Sequence, residues 1–557
     1  MVFCSRGEYA EAREYFEKAL AIKIEIGDSE STAMYYVNLG TVCRFIGEYA
    51  EAKEYYEKAL SIATEIGHKE VEALCYRNLG TVCFFLHKCV EAKEHTEKAL
   101  AIRIEIGDRS GESADYSNLG MIHKSLEEYV RAKVCLQKAL EIKVEIGDRK
   151  GEATDCGNLG TVFSSLGDQV KAQEYFQKAL AIVIEVGDES GEATVCENLS
   201  AVLYLLSEYA KAKKYQEKAL GIRIKIGDRD GEARNYRTLG IVCRSLGELT
   251  KAKDYLVKAV AIRVETGDRK GEATDYANLA TVAWSLGEYD KAKENIEQAL
   301  VISTEIGDRE GESLYYVFLG TACRSRGEYI SAKEFFEKGL ALSREIGDKK
   351  GEATNSGNLG DVFFWLGEYV KAKEYLEKSL VIRIETGDKT GEASDCGNLG
   401  TVFWWLKDYV KAKDYLLKSV AIRIETGDRR GEASDNRKLG TVCRSLGEYV
   451  EAKEFHEKAL SIRTEIGDRN EKASDFSGIA GASSRHFEAE EYCDKPLAIK
   501  TETNGRGEEA SDYESLGNLN CLLSEFAKAE ECFEKAIAIR VEIGDREGEA
   551  SNYGNLG

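Results

Sequence analysis

Residues 150–189 read KGEATDCGNLGTVFSSLGDQVKAQEYFQKALAIVIEVGDE, and the fold of the chain follows from this stretch. Its first half places Cys156, Leu159 and Phe163 at helical spacing, which predicts a first helix from about residue 150 to residue 166. Gly167 then offers the left-handed conformation that commonly ends a helix. The stretch therefore begins with an amphipathic helix and a turn.

The second half of the stretch predicts a second helix, from about residue 168 to residue 186. Ala172 and Phe176 begin its apolar stripe. Gly187 ends this helix, and the carboxylate of Asp188 can cap the next one. Small residues such as Gly160 and Ala172 let the two helices approach closely. The stretch is therefore predicted to form a helical hairpin.

The hairpin recurs every forty residues along most of the chain. The tripeptide Asn-Leu-Gly occurs at residues 38–40, 78–80, 118–120, 158–160, 358–360 and 398–400. A single hairpin cannot bury its own apolar face, so tandem hairpins of this kind stack into a solenoid. The repeat predicts an all-α solenoid and no ordinary globular domains.

The composition fits this fold class and limits the partners. The 557 residues include one proline, and 32% of them are charged. Proline interrupts helices, so its scarcity indicates few irregular connections. The formal net charge is -22, which disfavours nucleic acid and anionic membrane surfaces because Lys and Arg supply the contacts to phosphate. No run of residues approaches the length of a membrane span.

The fifteen cysteines contain no CxxC pair and no zinc-binding spacing. Most occupy apolar helix positions, where a free cysteine behaves as a small hydrophobic residue. Five of them share one repeat position: Cys43, Cys83, Cys243, Cys323 and Cys443. Many unpaired thiols indicate a reducing compartment, so we expect a cytoplasmic protein.

The sequence carries no catalytic motif that we can identify. Walker loops, GxGxxG, HExxH and GxSxG patterns are absent, and the six histidines are scattered without a partner at ligand spacing. The acidic residues are distributed over solvated helix faces. We therefore expect no enzyme activity, no cofactor, no bound metal and no small-molecule substrate.

The order of an aromatic residue or Cys, then Leu, Gly and an aromatic residue, followed by Ala, a large apolar residue and Ala, resembles the tetratricopeptide repeat (TPR). The phrase Gly-Asp-Arg-x-Gly-Glu-Ala…Asn-Leu-Gly…Leu-Gly-Glu-Tyr is similar to the repeats of G-protein-signalling modulators of the Pins/LGN type and to tetratricopeptide repeat protein 28-like arrays. Kinesin light chain is a weaker match. The resemblance implies a right-handed superhelical α-solenoid that binds proteins in a groove lined by the first helix of each repeat.

The repeat phase divides the chain into five parts. We expect a truncated first repeat over 1–29, eleven regular TPRs over 30–469, a degenerate shortened repeat over 470–506, a regular TPR over 507–546 and a truncated last repeat over 547–557. Met1 and Gly557 fall inside helices, so we expect a fragment or a truncated gene product. Pro496 lies in mid-helix in the degenerate repeat, where it marks either sequence drift or a hinge.

The resemblance implies that one asparagine position faces the groove. It is occupied by Asn38, Asn78, Asn118, Asn158, Asn198, Asn278, Asn358 and Asn398. A carboxamide both donates and accepts hydrogen bonds, so it can pair with the backbone of a bound peptide. The alternative is that each asparagine bonds to a neighbouring helix and stiffens the stack.

Basic residues on the same implied face predict an acidic ligand. Arg234, Arg237 and Arg244 are spaced so that they share one side of a helix. Arginine pairs well with carboxylates, so the groove is predicted to receive an acidic segment. Further candidates are Arg437 with Lys438 and Arg444, and the single cations Arg44, Arg77 and Arg324. The alternative is that these arginines pair with acidic residues of adjacent repeats.

Aromatic residues give a second candidate site. Phe364 and Trp404 share one implied groove position in consecutive repeats, beside Trp365 and Trp405. They can accept the apolar face of an amphipathic partner helix, or they can pack between the helices of the stack.

The leading functional hypothesis is a non-catalytic scaffold that binds peptide or helical segments of other proteins. The first alternative is the regulatory TPR arm of a larger protein whose effector or catalytic domain lies outside this chain. A second alternative is a purely structural spacer.

Overall fold

The computed structural model describes residues 9–473, 498–522 and 525–556, and it describes side chains over 9–466, 506–521 and 525–556. Over these ranges the chain forms 26 α-helices and no strand. They belong to two compact units, one ending at Asp228 and the other beginning at Arg229. Pro496 and most of the predicted degenerate repeat lie outside the described residues.

The first unit is a stack of helical hairpins that begins with one unpaired helix, α1. The helices are α1 Tyr9–Glu25, α2 Ser29–Ile46, α3 Tyr49–Glu65, α4 Lys69–Phe85, α5 Cys89–Ile106, α6 Arg109–Ser125, α7 Tyr129–Ile146, α8 Arg149–Ser165, α9 Gln169–Val186, α10 Glu189–Leu205 and α11 Tyr209–Ile226. Even-numbered helices are the first helices of their hairpins, and odd-numbered helices are the second.

The second unit has the same organisation. Its helices are α12 Arg229–Ser245, α13 Leu249–Thr266, α14 Arg269–Ser285, α15 Tyr289–Ile306, α16 Arg309–Ser325, α17 Tyr329–Glu345, α18 Lys349–Trp365, α19 Tyr369–Thr386, α20 Lys389–Trp405, α21 Tyr409–Thr426, α22 Arg429–Leu446, α23 Tyr449–Ala473, α24 Ala498–Leu522, α25 Phe526–Glu542 and α26 Arg546–Leu556. Each unit is thus an α-solenoid of tandem helical hairpins.

Glycine and aspartate join successive hairpins as the sequence predicts. Gly187 ends α9 in the left-handed conformation, with φ of 76°. The side chain of Asp188 then accepts a hydrogen bond from the backbone N–H of Gly191 at 2.9 Å. The carboxylate thereby satisfies one of the free N–H groups at the start of α10. Gly167, with φ of 80°, makes the turn inside the hairpin before it.

Each hairpin closes where a small residue of its first helix meets a large apolar residue of its second. In the fourth hairpin Gly160 faces Phe176, whose side chain is almost fully buried. A Cβ on Gly160 would lie 2.8 Å from Cε1 of Phe176, which is closer than real atoms allow. The predicted close approach of the two helices is confirmed, and it requires glycine at this position.

Buried ion pairs join many hairpins to the next. Lys143 of α7 places its Nζ 2.7 Å from Oδ2 of Asp155 in α8, and that carboxyl is fully buried. The same pairing, twelve residues apart, occurs as Arg103 with Asp115, Arg263 with Asp275, Arg383 with Asp395 and Arg423 with Asp435. The second helix of one hairpin thus supplies the cation, and the first helix of the next supplies the carboxylate.

Other junctions use neutral partners at the same two positions. Val183 and Val195 are both buried in the first unit. In the second unit Asn355 donates to Ser343 at 3.4 Å. At most junctions the two positions change together, because a buried charge without its counter-charge is strongly unfavourable. The exceptions include Lys23 and Arg223, which are followed at the second position by Tyr35 and Asn235 and pair instead with Asp28 and Asp228.

Candidate peptide-binding face

One side of each first helix is left uncovered by the second helices. In α2, Leu39 and Val42 are buried, whereas Asn38, Thr41 and Arg44 are half-buried. These three residues are three apart and therefore lie on one side of the helix. We call this side, at the positions of Met34, Val37, Asn38, Thr41 and Arg44 and their equivalents in the other first helices, the asparagine face.

The eight asparagines of this face are all half-buried. Among the described residues, the side chains of five of them make no hydrogen bond to the protein: Asn38, Asn78, Asn118, Asn198 and Asn358. Half-buried carboxamides that lack protein partners are available to a ligand. These five side chains therefore do not stiffen the stack through hydrogen bonds.

The other three asparagines have partners within the protein. The Nδ2 of Asn278 donates to the carbonyl oxygen of Thr274 on its own helix at 3.0 Å. The Nδ2 of Asn398 donates to Asp361 at 2.8 Å, and Asn158 lies beside the buried carboxyl of Asp155. For Asn398 the partner belongs to the preceding hairpin, so this side chain does join two repeats.

A polar cleft opens on this face between α8 and α10. Its volume is about 510 Å³, and Asn158 and Asn198 both line it. Gly157, Thr161 and Thr194 contribute to the same lining. Two consecutive asparagines of the asparagine face therefore line one solvent-open space that is large enough for part of a peptide.

Three of the predicted groove arginines turn into the stack. Arg77 places its Nε 2.7 Å from Oδ1 of the buried Asp115 and donates from Nη2 to the Gly111 carbonyl at 3.2 Å. Arg237 pairs in the same way with the buried Asp275. Arg437 lies 4.0 Å from Asp512. These contacts match the alternative in which arginine pairs with an adjacent repeat, because a buried carboxylate attracts the nearest guanidinium.

The remaining arginines stay at the surface of the face. Arg234 is exposed and pairs with Asp230 on its own helix, whereas Arg244 is half-buried. Arg44 lies 4.6 Å from the ring centroid of Phe45. Arg444 is exposed, and the described residues provide no carboxylate within ion-pair distance of it. The predicted basic residues are therefore divided: some pair with carboxylates inside the stack, and others remain at the surface.

Asp361 is a functional candidate that the repeat pattern did not reveal. It replaces the threonine found at this position in most other repeats. Its Oδ2 lies 2.8 Å from Nη1 of Arg324 in the preceding hairpin, and its Oδ1 accepts from Asn398 in the following one. Burial raises its pKa, and the nearby Arg324 opposes that rise. The departure from threonine is the signal that sequence reasoning passed over.

The aromatic candidates form one continuous cluster. Phe364 and Trp365 lie 5.6 Å apart between ring centroids, and Phe364 lies 6.4 Å from Trp405. The indole N–H of Trp404 donates to Ser445 of the next hairpin at 2.9 Å. Trp365 is 62% exposed, so the cluster packs between repeats and also presents aromatic surface to solvent.

The sequence family follows from the repeats themselves. The Tetratricopeptide repeat family matches residues 1–65, 31–105, 111–185, 192–263, 272–345 and 394–465, which together cover more than half of the chain. The chain belongs to the tetratricopeptide repeat family. TPR hairpins generally act as non-catalytic protein-interaction modules. No curated protein matches this TPR chain.

Several solved structures are similar to this TPR chain. RapI in its apo form has 18% identity and a TM-score of 0.48 over 64% of this chain and 98% of that chain. A STAND protein with a tetratricopeptide repeat sensor, PH0952 from Pyrococcus horikoshii, has 18% identity and a TM-score of 0.47 over 63% and 52%. BtubC (BKLC) from P. vanneervenii has 24% identity and a TM-score of 0.37 over 40% and 92%. These values are too low to transfer a function.

Two groups of candidate metal ligands occur among the described residues of the TPR hairpins. They are Cys43 with Glu48 and Glu51, and Cys443 with Glu448 and Glu451. Arg13 already bridges the first group, at 2.9 Å from Glu48 and 2.8 Å from Glu51. Lys413 bridges the second at 2.7 and 2.6 Å. One cation of the protein already pairs with both carboxylates of each group, and we assign no metal to them.

Within the described ranges, no TPR helix is both long enough and apolar enough to cross a lipid bilayer.

Proposed function

We propose that this TPR protein is a scaffold that holds peptide segments of other proteins on its asparagine face. The observation that supports this proposal is the set of five half-buried carboxamides without a hydrogen bond to the protein. Each can both donate to and accept from a peptide backbone, so binding does not demand one ligand sequence. The surface is preformed by rigid helices, which reduces the ordering cost on the scaffold's side.

The charge of the face supports an acidic partner segment. In the second unit the positions of the face carry the basic residues Arg234, Arg237, Arg244, Arg324, Arg437, Lys438 and Arg444 and the acidic residues Asp361 and Glu514. Of these basic residues, Arg237 and Arg437 turn into the stack. This basic surface belongs to a chain whose net charge is -22. Exposed Arg444 is well placed to pair with a partner's carboxylate. The aromatic cluster around Phe364 and Trp404 would add apolar contacts for an amphipathic segment.

We also propose that the scaffold works in the cytoplasm as an adaptor. Every cysteine in the described part of the chain is a free thiol. Burial raises the pKa of the Cys43 thiol to about 11, which keeps it protonated and unreactive. Such thiols suit a reducing compartment. The resemblance to G-protein-signalling modulators and to tetratricopeptide repeat protein 28-like arrays supports a role that joins a signalling or cytoskeletal partner to a second protein.

The proposal is tested by removing two free carboxamides, one in each unit. The variant Asn198→Ala with Asn358→Ala should weaken capture of endogenous partners in affinity purification. Crosslinking mass spectrometry on the wild-type protein should place partner peptides next to the first helices. The alanine side chains leave the backbone packing unchanged, so the unfolding midpoint should stay close to that of the wild type.

A matched control removes two carboxamides that lie away from the face. Gln177→Ala with Gln298→Ala changes exposed positions on second helices and should leave capture unchanged. Equal capture by both double variants, with crosslinks on the second helices, would contradict a peptide-binding asparagine face.

A further inference from the structure

The seventh and eighth regular hairpins enclose an apolar pocket next to the asparagine face. Its volume is about 40 Å³. The lining consists of Ala280, Thr281, Trp284, Ala292, Lys293, Ile296, Phe318, Leu319 and Ala322. It therefore lies among α14, α15 and α16, all within the second unit. A space of this size exceeds the roughly 10–15 Å³ that one water molecule requires.

The pocket exists because Ala322 departs from the repeat pattern. The equivalent residue in the other ten regular repeats is valine or isoleucine: Val42, Val82, Ile122, Val162, Val202, Val242, Val282, Val362, Val402 and Val442. All ten are buried. Ala322 lacks two methyl groups of valine, and it is not buried. The missing methyl groups leave an opening that reaches solvent.

One further departure and one aromatic residue supply walls for the same pocket. Phe318 occupies the position at which most repeats have the asparagine of the asparagine face. Trp284 occupies the position of Arg44. Both rings line the cavity. Two unusual residues, Phe318 and Ala322, therefore meet in one space beside Trp284, whose position is also aromatic at Phe84, Tyr204, Phe364 and Trp404.

Apart from the indole N–H of Trp284, the polar atoms around the pocket give water little to bind. The hydroxyl of Thr281 already donates to the carbonyl oxygen of Asn278 at 2.6 Å. Lys293 is exposed, and its Nζ lies 3.9 Å from Glu297. A cavity with this lining favours an apolar occupant over water.

The indole N–H of Trp284 is a polar group in the wall of the pocket. This nitrogen is shielded from solvent, and the described residues offer it no hydrogen-bond acceptor. The equivalent Trp404 donates to Ser445 at 2.9 Å. A shielded N–H without an acceptor is rare and unfavourable. An acceptor such as a carbonyl oxygen of a bound peptide would satisfy it.

Charged residues on either side indicate which peptide fits. Arg244 and Arg324 occupy the position of Trp284 in the preceding and following repeats. Both are half-buried on the asparagine face. Arg324 already pairs with Asp361 through Nη1 at 2.8 Å. Its remaining N–H groups, like the guanidinium of Arg244, can donate to a carboxylate on either side of the residue that enters the pocket.

We propose that this pocket is an anchor site for one aliphatic side chain, of the size of Leu, Ile or Met, in an acidic partner peptide. The inference rests on the proposed peptide-binding function and adds the residue that the peptide must carry. The branched end of such a side chain replaces the two methyl groups that Ala322 lacks. The acidic residues on either side meet Arg244 and Arg324.

The test uses the full chain to select binders from a library of short random peptides. Peptides bound by the wild type should share an aliphatic residue between acidic residues. The variant Ala322→Val restores the common residue, fills the pocket and should weaken their binding about tenfold or more, as expected for methyl groups in an apolar pocket. Valine fits at this position in the other hairpins, so the variant should unfold at the same temperature as the wild type or higher.

Two further variants separate binding from stability. Ala322→Gly keeps the pocket open, so it should retain the selected peptides while it lowers the unfolding midpoint. Phe318→Asn restores the common asparagine and removes one wall of the pocket. It should therefore lose binding of the selected peptides even if the valine variant folds poorly. Selected peptides that bind Ala322→Val and Phe318→Asn as tightly as the wild type would overturn the anchor site and leave the peptide-binding face intact. A library that yields no binder would overturn both.

Discussion

At the residue scale, the sequence of one repeat predicts positions whose environment is set within a single hairpin. Gly160 and Phe176 meet as expected, and Gly187 and Asp188 end one helix and cap the next. The partner of Arg237 was not predictable in the same way. Its choice between solvent and the buried Asp275 depends on a residue 38 positions away in the next hairpin. A single repeat therefore does not contain that information.

Two glycines of α8 provide a matched pair of predictions. Gly160→Ala should destabilise the protein by about 1–3 kcal/mol, because the added methyl group overpacks against Phe176. Gly157→Ala should stabilise it by about 0.5–1 kcal/mol, because no atom lies within 4 Å of the new Cβ and alanine favours a helix. Thermal unfolding of the two variants measures both effects. Equal shifts in the same direction would show that helix propensity alone governs the two positions.

At the element scale, the junction between hairpins is specified by pairs of residues that switch together. Exposed pairs inside a hairpin switch in the same way. Arg149 pairs with Glu185, and one repeat later Glu189 pairs with Lys225 in the reverse order. Both members of each exposed pair belong to one hairpin, 36 positions apart, at the start of its first helix and the end of its second. They become predictable once the antiparallel pairing of the two helices is known, whereas the buried pairs depend on the stacking of hairpins. The repeat length indicates the stacking, but the side chains that meet across it had to be observed.

The buried pair Lys143 with Asp155 should behave as one unit. Lys143→Val or Asp155→Val alone leaves an uncompensated buried charge and should cost about 3–5 kcal/mol. The double variant recreates the neutral junction of Val183 and Val195 and should be close to the wild type in stability. A double-mutant cycle by urea unfolding measures the coupling. If the free energy of unfolding of the double variant falls by the sum of the two single decreases, the residues do not act as a pair.

At the scale of the whole molecule, the fold class followed from the sequence, and the family match confirms the tandem TPR hairpins. Much of the candidate site did not follow. Asp361, Phe318 and Ala322 matter because they differ from the repeat, and a pattern built from the common residues hides them. The sequence therefore predicted the scaffold well and the individual features of its surface poorly.

The first unit should fold without the second. Each hairpin of a solenoid is stabilised by its neighbours, and several stacked hairpins suffice for a stable core. A fragment of residues 1–228 should therefore be helical by circular dichroism and unfold cooperatively in urea. A fragment of residues 1–65, with one complete hairpin, should be largely unfolded under the same conditions. An unfolded longer fragment would show that the unit depends on residues beyond Asp228.

The paired junction residues also restrict how such a gene can lose or gain copies. The two members of each pair are twelve codons apart, one in each of two successive copies. An unequal crossover inside that window joins half of one pair to half of another, for example the codon for Arg383 to the codon for Val195. Its product carries a lone charge in an apolar junction. A crossover outside the window keeps both members together, so shortened or lengthened genes that still yield a folded chain should have their breakpoints there.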